Sequence, residues 1–368
     1  MDVLQVVPSF DRGFGGPATS SRSVSQALVN IGLDIEVLGP GQPDPRWPHA
    51  VGHRSRRLPL LPASVGTYSW PVLLSEFRAI RHVGVGAVHV HLNRGLVGLP
   101  SAALALAMGR PLVVQTHGMC TPWRGAKALL DRVLTAPILS RADLVLVLST
   151  QEAEDLGGYT SPERIEVLPN ALAEEPVGRR EQPAEPTFLF CARLHPRKGL
   201  DVFVHAAAAI AHRLPTARFL VAGPDEGALE EAQRQASKQG VEVCWLGLQP
   251  EAEIRRLMAE ATALLHPAED EPFGMSMVEA LGRGLPVITA ASARLAPLLA
   301  AADAALLVQG ASSQAYATAA VALHEDRARW TQLSDGGRRL HQAEFALPVL
   351  ERRLRQLYDR VLPGQRAA

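Results

Sequence analysis

The chain has 368 residues, with 37 basic and 37 acidic side chains and a hydrophobic fraction of 47%. This length is typical of two domains, and the zero net charge argues against a general nucleic-acid binder. Three widely spaced cysteines exclude a disulfide framework or a CxxC metal site and indicate a reducing compartment. The chain opens directly into a strand-like run without a secretory signal, and its longest apolar stretch is too short to span a bilayer. We therefore expect a soluble, cytoplasmic protein of two domains.

Basic side chains are unevenly spread along the chain. From position 46 to position 141 there are 12 Lys or Arg residues and only two acidic ones. Such asymmetry suggests an anionic partner surface, with scattered, solvated arginines as the alternative. Lysine is rare, most simply through a compositional bias, so each one merits attention: the chain has Lys127, Lys198 and Lys238.

The first half of the chain alternates short β-branched runs with helical patterns. Strands are predicted at 3–8, 35–38, 87–92, 111–117, 144–148 and 165–168. Between the first two, positions 24–31 follow the helical period, with Thr19 or Ser20 as the expected N-cap. Segment 41–70 holds five prolines and is interpreted as a long functional loop, whereas segment 171–186, rich in proline and charge, is interpreted as an interdomain linker.

The same alternation then starts again. Strands are predicted at 188–192, 219–222, 241–245, 263–266, 286–289 and 305–308, with helices such as 199–213 and 228–239 between them. Repeated strand–helix alternation implies parallel sheets, so the predicted fold is α/β with two Rossmann-like, doubly wound domains. The expected division is an N-terminal domain at 1–170, a linker at 171–186, a C-terminal domain at 187–347 and a helix at 348–368. This last helix is expected to pack back on the N-terminal domain.

The strongest chemical signal lies in the second domain, where Glu271 and Glu279 have an E-x7-E spacing. Glu271 follows a predicted strand, and a helix begins near Gly274, so free backbone N–H groups there suit a phosphate. Glu279, one turn into the helix, could accept hydrogen bonds from a ribose diol. The alternative is a pair of carboxylates on a helix surface.

A second signal, R-x4-K, follows the first strand of the same domain. Arg193 and Lys198 could neutralise a diphosphate and the charge that grows as it leaves. A solvated basic loop is the alternative.

Two weaker signals follow strands of the first domain. Gly15 and Gly16 precede a helix and allow close backbone approach; the surrounding window 13–18 also fits a dinucleotide fingerprint, but no acidic residue ends the second strand. His117 ends a strand and is followed by Gly118, so it could reach a ligand, although a lone histidine is more often structural. His89 and His91 are interpreted as structural.

Together these residues resemble the GT-B glycosyltransferases of family 4, the large retaining group 1 family. The resemblance covers nearly the whole chain. It is carried by Gly15-Gly16-Pro17, His117-Gly118, Leu168-Pro169-Asn170, Arg193 with Lys198-Gly199, Val221-Ala222-Gly223-Pro224 and Glu271-x7-Glu279.

The resemblance implies two domains facing across a cleft, with a nucleotide-sugar donor bound mainly by the C-terminal one. Glu279 would hold the ribose, and Arg193 and Lys198 the diphosphate. The donor sugar would lie against Glu271 and the backbone of Phe273, Gly274 and Met275. Gly16, with Gly15 beside it, would approach the diphosphate, and His117 would contact the sugar near the reacting carbon.

The family retains anomeric configuration and transfers without a bound metal, so no cofactor and no metal are expected. The implied activity moves a hexose from GDP-mannose or a UDP-hexose to a hydroxyl of a glycan or lipid-linked acceptor. Surface polysaccharide or glycolipid synthesis is the expected context. One departure is the loop 290–294, where many relatives carry a Gly-Gly pair.

Other classes of protein stay open on the sequence alone. A nucleotide-sugar epimerase of the GT-B fold would need an acid–base pair, and none is evident. A non-catalytic nucleotide-sugar binder would not need the intact Arg/Lys/Glu set. A Rossmann oxidoreductase depends on the weak glycine loop.

The basic stretch suggests where the acceptor is held. Arg78 and Arg81 share a helix face, and further cations lie at Arg54, Arg56, Arg57, Arg124, Lys127 and Arg132. Each basic residue near an anionic bilayer contributes about 1 kcal/mol. We therefore expect peripheral contact with the inner membrane face, where a polyprenyl-diphosphate-linked acceptor would lie; an ordinary arginine-rich surface is the alternative.

Overall fold

The computed structural model describes residues 1–10, 15–43, 45–53, 56–57, 67–68, 70–81, 85–123, 125, 127–172, 178 and 180–362. It divides into two units: residues 1–173 with 347–368, and residues 174–346. Each unit is an α/β structure built on a parallel sheet.

The first unit contains a sheet of seven described strands in the order β3-β2-β1-β6-β7-β8-β9, all parallel. The strands are β1 Val3–Val6, β2 Ile35–Pro40, β3 Ala50–His53, β6 Ala87–His91, β7 Leu112–Gln115, β8 Leu144–Val147 and β9 Ile165–Val167, and a separate antiparallel pair is formed by β4 Arg56–Arg57 and β5 Thr67–Tyr68. Its helices are Gly16–Asn30, Trp70–Arg81, Gly98–Ala107, Lys127–Leu130 continuing as a π-helix through Asp131–Thr135, Ala136–Arg141, Thr150–Leu156, the 3-10 turn Pro162–Arg164 and Leu347–Val361.

The second unit has a sheet of six strands in the order β12-β11-β10-β13-β14-β15, also parallel. The strands are β10 Thr187–Cys191, β11 Arg218–Ala222, β12 Cys244–Gly247, β13 Ala263–His266, β14 Val287–Ala290 and β15 Ala305–Val308. Its helices are the 3-10 turn Pro196–Lys198, Leu200–Arg213, Leu229–Gln239, Glu251–Glu260, Met275–Gly282, Ala296–Ala301, Ser313–Glu325, Arg327–Leu340 and the π-helix His341–Phe345.

Both sheets change winding direction at their first strand. In the first unit the chain turns from the β1–β2 side to β6, and in the second from the β10–β11 side to β13. Ligands of open parallel sheets bind outside the carboxyl ends of the strands at such switch points. The strand ends expected to contact a ligand are therefore those of β1, β6, β10 and β13.

The last helix completes the core of the first unit. The residues predicted to share one face of this helix are all buried: Leu350, Leu354, Leu357 and Tyr358. They pack with side chains of the helix Gly16–Asn30 and of the sheet, and the Tyr358 hydroxyl lies 2.8 Å from Nδ1 of His89. The chain therefore enters the first unit twice.

Three local predictions were wrong. The helix of the first βα unit begins at Gly16, not near Thr19 or Ser20, because Gly15 takes a positive φ of 77° and Pro17 favours the first turn. Segment 41–70 is not simply a loop, because β3 within it pairs with β2. The strand predicted at 241–245 lies at Cys244–Gly247.

The proline-rich stretch 171–186 is tied to the second unit at its far end. Arg180 donates from Nη2 to the carbonyl oxygens of Ala259 and Ala261, and its guanidinium lies over the Trp330 ring. Gln182 donates to the carbonyl oxygen of His324 at 2.7 Å. The part that these contacts hold is therefore structured, whereas residues 173–177 and 179 lie outside the described residues.

Candidate active site

At the second unit's switch point, three charged or polar side chains meet. Lys198 follows β10, and its Nζ lies 2.6 Å from Oε2 of Glu271. His266 ends β13, and its Nε2 lies 3.0 Å from the same carboxylate oxygen. Glu271 and His266 are buried, while Lys198 keeps a fifth of its side chain exposed. The cluster joins the two strand ends that the topology singles out.

Glu271 is held ionised in this cluster. Burial alone would raise the pKa of its carboxyl group, but the hydrogen bond and charge of His266, together with the ammonium of Lys198, lower that pKa well below its usual range. The Glu271 carboxyl group is therefore ionised near neutral pH. It can therefore accept hydrogen bonds from hydroxyl groups, but it does not act as a general acid.

Two glycines let the loops of the cluster approach closely. Gly199 has a φ of 72° before the helix Leu200–Arg213, and a Cβ there would lie 2.9 Å from the carbonyl oxygen of Pro267. Gly274 has a φ of 78° before Met275–Gly282, and its Cβ would lie 2.3 Å from the Met277 side chain. Both positions favour glycine because L-residues resist this backbone region, and at Gly199 the backbone of Pro267 also leaves no room for a Cβ.

The other predicted donor-binding residues of this unit lie on the loop and the helix that follow Glu271. Phe273 is buried edge-on against Phe345, so its backbone rather than its ring is available, and Met275 is the first residue of its helix. Glu279 is half-buried one turn into that helix, and its charge adds to burial in raising the pKa of Cys191, at the end of β10.

Arg193 does not join Lys198 at Glu271. Its Nη1 pairs with Glu226 at 3.0 Å, and both side chains are substantially exposed. The loop 290–294, which departs from the family pattern, is hydrogen-bonded to the backbone of Glu271. The backbone N–H of Arg294 donates to the carbonyl oxygen of Glu271 at 3.2 Å.

In the first unit, His117 stands on a strained turn after β7. Its φ is 53°, an unusual value for a residue with a side chain, and it is buried. The buried carboxylate of Glu152 holds this turn by accepting from the Thr116 hydroxyl at 2.5 Å and from the Gly118 N–H at 2.7 Å. Glu152 thus provides hydrogen bonds that offset the cost of the strain.

The imidazole of His117 continues into a buried polar chain. Its Nε2 lies 2.7 Å from Nδ1 of His91, and Nε2 of His91 lies 2.6 Å from Nε2 of Gln5. Burial lowers the pKa of His117 to about 3, and burial, with the neighbouring histidines, lowers that of His91. Both rings are therefore neutral near pH 7. His91, interpreted from the sequence as structural, is thus in direct contact with His117.

The start of the first helix is linked to the same region. Gly15 caps the helix that begins at Gly16, and Ser20, one turn on, donates to Oδ1 of Asn170 at 2.5 Å. The Asn170 side chain lies near enough to His117 to oppose the fall in its pKa. The glycine turn, Asn170 and His117 therefore lie at one edge of this sheet.

A buried ion pair shapes the loop that follows His117. Nε of Arg94 lies 2.6 Å from Oδ1 of Asp131, and both side chains are buried. Arg94 also donates to the carbonyl oxygens of Met119 and Thr121 and lies over the Trp123 ring, while Asp131 accepts from the Trp123 N–H. Arg94 is therefore a buried residue that holds this loop in place, and it is not part of a basic surface.

Among the described residues, no group of three or more His, Cys, Asp or Glu side chains could hold a metal ion. In the same part of the chain, no helix is both long enough and apolar enough to cross a membrane.

Comparison with known proteins assigns the family. Residues 174–340 match the model of the glycosyl transferases group 1, and residues 15–171 match the glycosyl transferase 4-like domain. The chain therefore belongs to the group 1 glycosyltransferases, as the motifs predicted, and it has the GT-B fold.

Individual relatives agree with this family. The chain is 29% identical over 337 residues to D-inositol 3-phosphate glycosyltransferase 1 of Catenulispora acidiphila, covering 83% of this chain and 80% of that protein. It is 28% identical over 258 residues to D-inositol 3-phosphate glycosyltransferase of Frankia alni, covering 62% of this chain and 63% of that protein. Anabaena Alr3699/HepE, solved with UDP-glucose, superposes with a TM-score of 0.77 at 18% identity, over 98% and 100% of the two chains.

The sequence analysis missed several residues that hydrogen-bond to Glu271 or to residues around His117. His266, Gln5 and Glu152 carry no recognisable spacing, because their partners come from other strands. Strand order was the available signal: His266 ends the strand that borders β10, and the pairs Gln5–His89 and His91–Gln115 lie opposite each other in neighbouring strands.

Proposed function

We propose that this chain transfers a hexose from a nucleotide-sugar donor to a hydroxyl group of a glycan or lipid-linked acceptor, with retention of anomeric configuration and without a metal ion. The observation that carries the proposal is the Lys198–Glu271–His266 cluster at the switch point of a group 1 glycosyltransferase. A cation and an ionised carboxylate at this place suit a sugar diphosphate, which needs both charge neutralisation and hydroxyl recognition.

The proposed roles in the second unit follow from the chemistry of each group. Lys198 and Arg193 neutralise the diphosphate, and their charges matter most as the sugar–phosphate bond breaks. Glu271, held ionised, accepts hydrogen bonds from sugar hydroxyls, next to the backbone of Phe273, Gly274 and Met275. Glu279 accepts from the ribose hydroxyls.

The first unit provides the remaining contacts in this proposal. Gly15 and Gly16 bring backbone N–H groups to the diphosphate, and His117 contacts the sugar near the reacting carbon. The leaving diphosphate takes the acceptor's proton on the same face of the sugar, so no carboxylate nucleophile is needed. A nucleotide-sugar epimerase would instead need a base able to abstract a proton from carbon.

Substitution of the two cations tests these roles. Lys198→Met and Arg193→Met should each reduce kcat by about 10²–10³, because they remove charge stabilisation of the transition state. Arg197→Met is the matched control, since Arg197 is an exposed cation of the same turn to which no role is assigned. Near-normal rates for both site variants, with folding intact, would exclude the assignment.

Metal independence is tested separately. With Lys198 and Arg193 in the place of a divalent cation, transfer should persist in excess EDTA. Loss of activity that returns on adding Mn²⁺ or Mg²⁺ would contradict the proposal.

The nucleotide is best identified by ligand stabilisation. GDP-mannose and UDP-hexoses are the proposed donors, and the UDP-glucose complex of the Anabaena structure gives UDP the first place in a screen. A ligand at 100 times its Kd stabilises the folded state by about 2.7 kcal/mol, so thermal shifts with UDP, GDP and ADP will rank the bases. No shift with any of them would count against a nucleotide-sugar donor.

The acceptor is proposed to be polyprenyl-diphosphate-linked and reached from the inner membrane face, which places the protein in the cytoplasm. Support comes from a surface of the first unit, here called the apolar patch, on the helix that starts at Lys127. Four large apolar side chains of this helix are 48–66% exposed: Leu129, Leu130, Val133 and Leu134. A second exposed group lies on Trp70–Arg81, where Arg81 covers Phe77.

An anionic bilayer suits this combination of apolar and basic side chains. Burying a half-exposed leucine in lipid contributes about 1 kcal/mol, and each nearby cation contributes about as much again. Of the eight cations expected near the membrane, the structure describes the side chains of Arg78, Arg81 and Arg132. Arg54 and Arg124 lie outside the described residues, and so do the side chains of Arg56, Arg57 and Lys127.

Sedimentation with liposomes tests the membrane contact. Binding should increase with anionic lipid and decrease with salt, and Leu129→Ser with Val133→Ser should weaken it at every salt concentration. Leu248→Ser is the matched control, because Leu248 is equally exposed, at 63%, but belongs to the second unit. No binding to highly anionic vesicles at low salt would favour a soluble acceptor.

A further inference from the structure

A chain of buried hydrogen bonds leads from the first helix of the first unit to His117. The Ser25 hydroxyl lies 2.7 Å from Oε1 of Gln5, and Nε2 of Gln5 lies 3.1 Å from the carbonyl oxygen of Ser21 and 2.6 Å from Nε2 of His91. Nδ1 of His91 then lies 2.7 Å from Nε2 of His117. All of these side chains are buried.

The direction of the first link is fixed by a carbonyl group. The Ser21 carbonyl oxygen can only accept, so the Gln5 atom that faces it must be the amide nitrogen. The amide oxygen of Gln5 then faces the Ser25 hydroxyl, which can donate to it. The second amide hydrogen of Gln5 is left for Nε2 of His91, which must therefore accept.

The remaining protons follow from neutrality. A neutral imidazole carries one hydrogen, so His91, accepting at Nε2, carries its hydrogen on Nδ1 and donates it to Nε2 of His117. His117, accepting at Nε2, must then carry its own hydrogen on Nδ1. The two ring planes are within 16° of parallel, with centroids 4.9 Å apart and the facing nitrogens 2.7 Å apart, and these values are consistent with an N–H···N bond between ring edges.

We propose that Gln5 and His91 are positioning residues that hold His117 as the Nδ1–H tautomer, so that His117 donates a hydrogen bond at the site and does not take the acceptor's proton. This inference rests on the proposed function and specifies the role of one of its residues. Nδ1 is buried and makes no hydrogen bond of good geometry with the described residues. Its hydrogen is thus available to a sugar oxygen, or to the amide oxygen of Asn170 beside it.

The consequence for the reaction concerns the general base. Nε2 of His117 is already occupied by His91, and Nδ1 already carries a hydrogen, so neither nitrogen has a lone pair for the acceptor hydroxyl. The proton released when the acceptor oxygen bonds to the sugar carbon passes instead to the departing diphosphate oxygen. Bond formation, bond cleavage and proton transfer then balance without a histidine base.

Imidazole ¹⁵N spectra of the ligand-free full chain test the tautomers directly. Wild-type His91 and His117 should both show a protonated Nδ1 and an unprotonated Nε2. Gln5→Glu should reverse both, because a carboxylate only accepts and forces His91 to donate from Nε2. Wild-type His117 protonated at Nε2 would overturn the proposal.

Kinetics with the donor found in the nucleotide screen test the positioning role. Gln5→Glu, and Gln5→Met if the first variant folds poorly, should lower kcat by about 10–100-fold with little change in the donor KM. Leu28→Val is the packing control, because Leu28 is buried in the core of the same unit and its apolar side chain forms none of these hydrogen bonds. A reversed tautomer with unchanged kcat would overturn the proposal. Absence of transfer with every donor would instead overturn the proposed function, while the spectra still decide the tautomer.

Discussion

Removing the ammonium of Lys198 should destabilise the protein far more than removing the guanidinium of Arg193. Glu271 is 6% exposed and Lys198 is 20% exposed, so Lys198→Met leaves a buried carboxylate with His266 as its remaining described polar side-chain partner. Breaking a buried ion pair on one side costs about 3–5 kcal/mol, and the partial exposure of Lys198 places the expected loss near 3 kcal/mol.

Arg193→Met provides the comparison. Arg193 and Glu226 are 45% and 32% exposed, so water already solvates both groups and the loss should be about 1 kcal/mol or less. Urea unfolding of the full chain, followed by circular dichroism and tryptophan fluorescence, measures both variants under the same conditions.

The pH dependence of the loss supplies a further check. In the wild type the folded-state pKa of Glu271 is depressed, so its contribution to stability is present at neutral pH and is lost progressively as the pH falls from the ordinary carboxyl pKa toward that low value. Without Lys198 the same pKa rises, so Glu271 of the folded variant takes up its proton at a higher pH than in the wild type. The difference between wild type and Lys198→Met should therefore be constant near neutral pH and shrink only once the solution is acidic enough to protonate Glu271 in the folded variant.

The double variant Lys198→Met/Glu271→Gln completes the test. It removes both charges and should recover part of the stability lost in Lys198→Met, because no buried anion is left without its cation. Equal losses for Lys198→Met and Arg193→Met, or a loss that does not change with pH, would refute the reasoning.

Three further predictions concern stability. The folded-state pKa values of His89 and His117 are about 3, below the unfolded value of about 6.5, so unfolding takes up protons and the urea midpoint should fall as the pH drops below 6.5; a flat profile would contradict this. Gly223→Ala should cost more than about 3 kcal/mol, since its Cβ would lie 1.8 Å from a carbonyl oxygen, whereas Gly240→Ala, in open space at a φ of 66°, should cost about 1 kcal/mol. Asp131→Asn should cost about 3 kcal/mol in the same assay by leaving a buried guanidinium without its carboxylate, and a loss under 1 kcal/mol would mean that water reaches the pair.

Local pattern was enough to predict most of the architecture. Strands 263–266 and 305–308 are observed at those residues, because buried parallel strands are short apolar runs that are easily recognised. The strand predicted at 241–245 was displaced because it lies at the sheet edge, where half-exposed residues weaken the pattern. The strand Ala50–His53 was missed because only its pairing with β2 makes it a strand.

The candidate site was predicted unevenly for the same reason. Motif spacing located Lys198 and Glu271, which lie on one sheet edge, but gave no indication that they pair with each other and not with Arg193. Nor did spacing identify His266, since a histidine at the end of a strand has no local signature. Contacts between strands distant in sequence depend on the order of strands in the sheet, which local periodicity does not reveal.

Because the last helix belongs to the first unit, the second unit can finish folding before the first one during synthesis. Residues 174–346 form a continuous segment, so the second unit has its whole sequence once residue 346 has left the ribosome. The first unit, although synthesised earlier, still lacks Leu350, Leu354 and Tyr358 at that moment, and the apolar side chains they cover remain open to water. A fragment ending at residue 173 would therefore need chaperones, or the last helix added as a separate peptide, to stay in solution. The second unit, in contrast, can be expressed alone as the single segment 174–346.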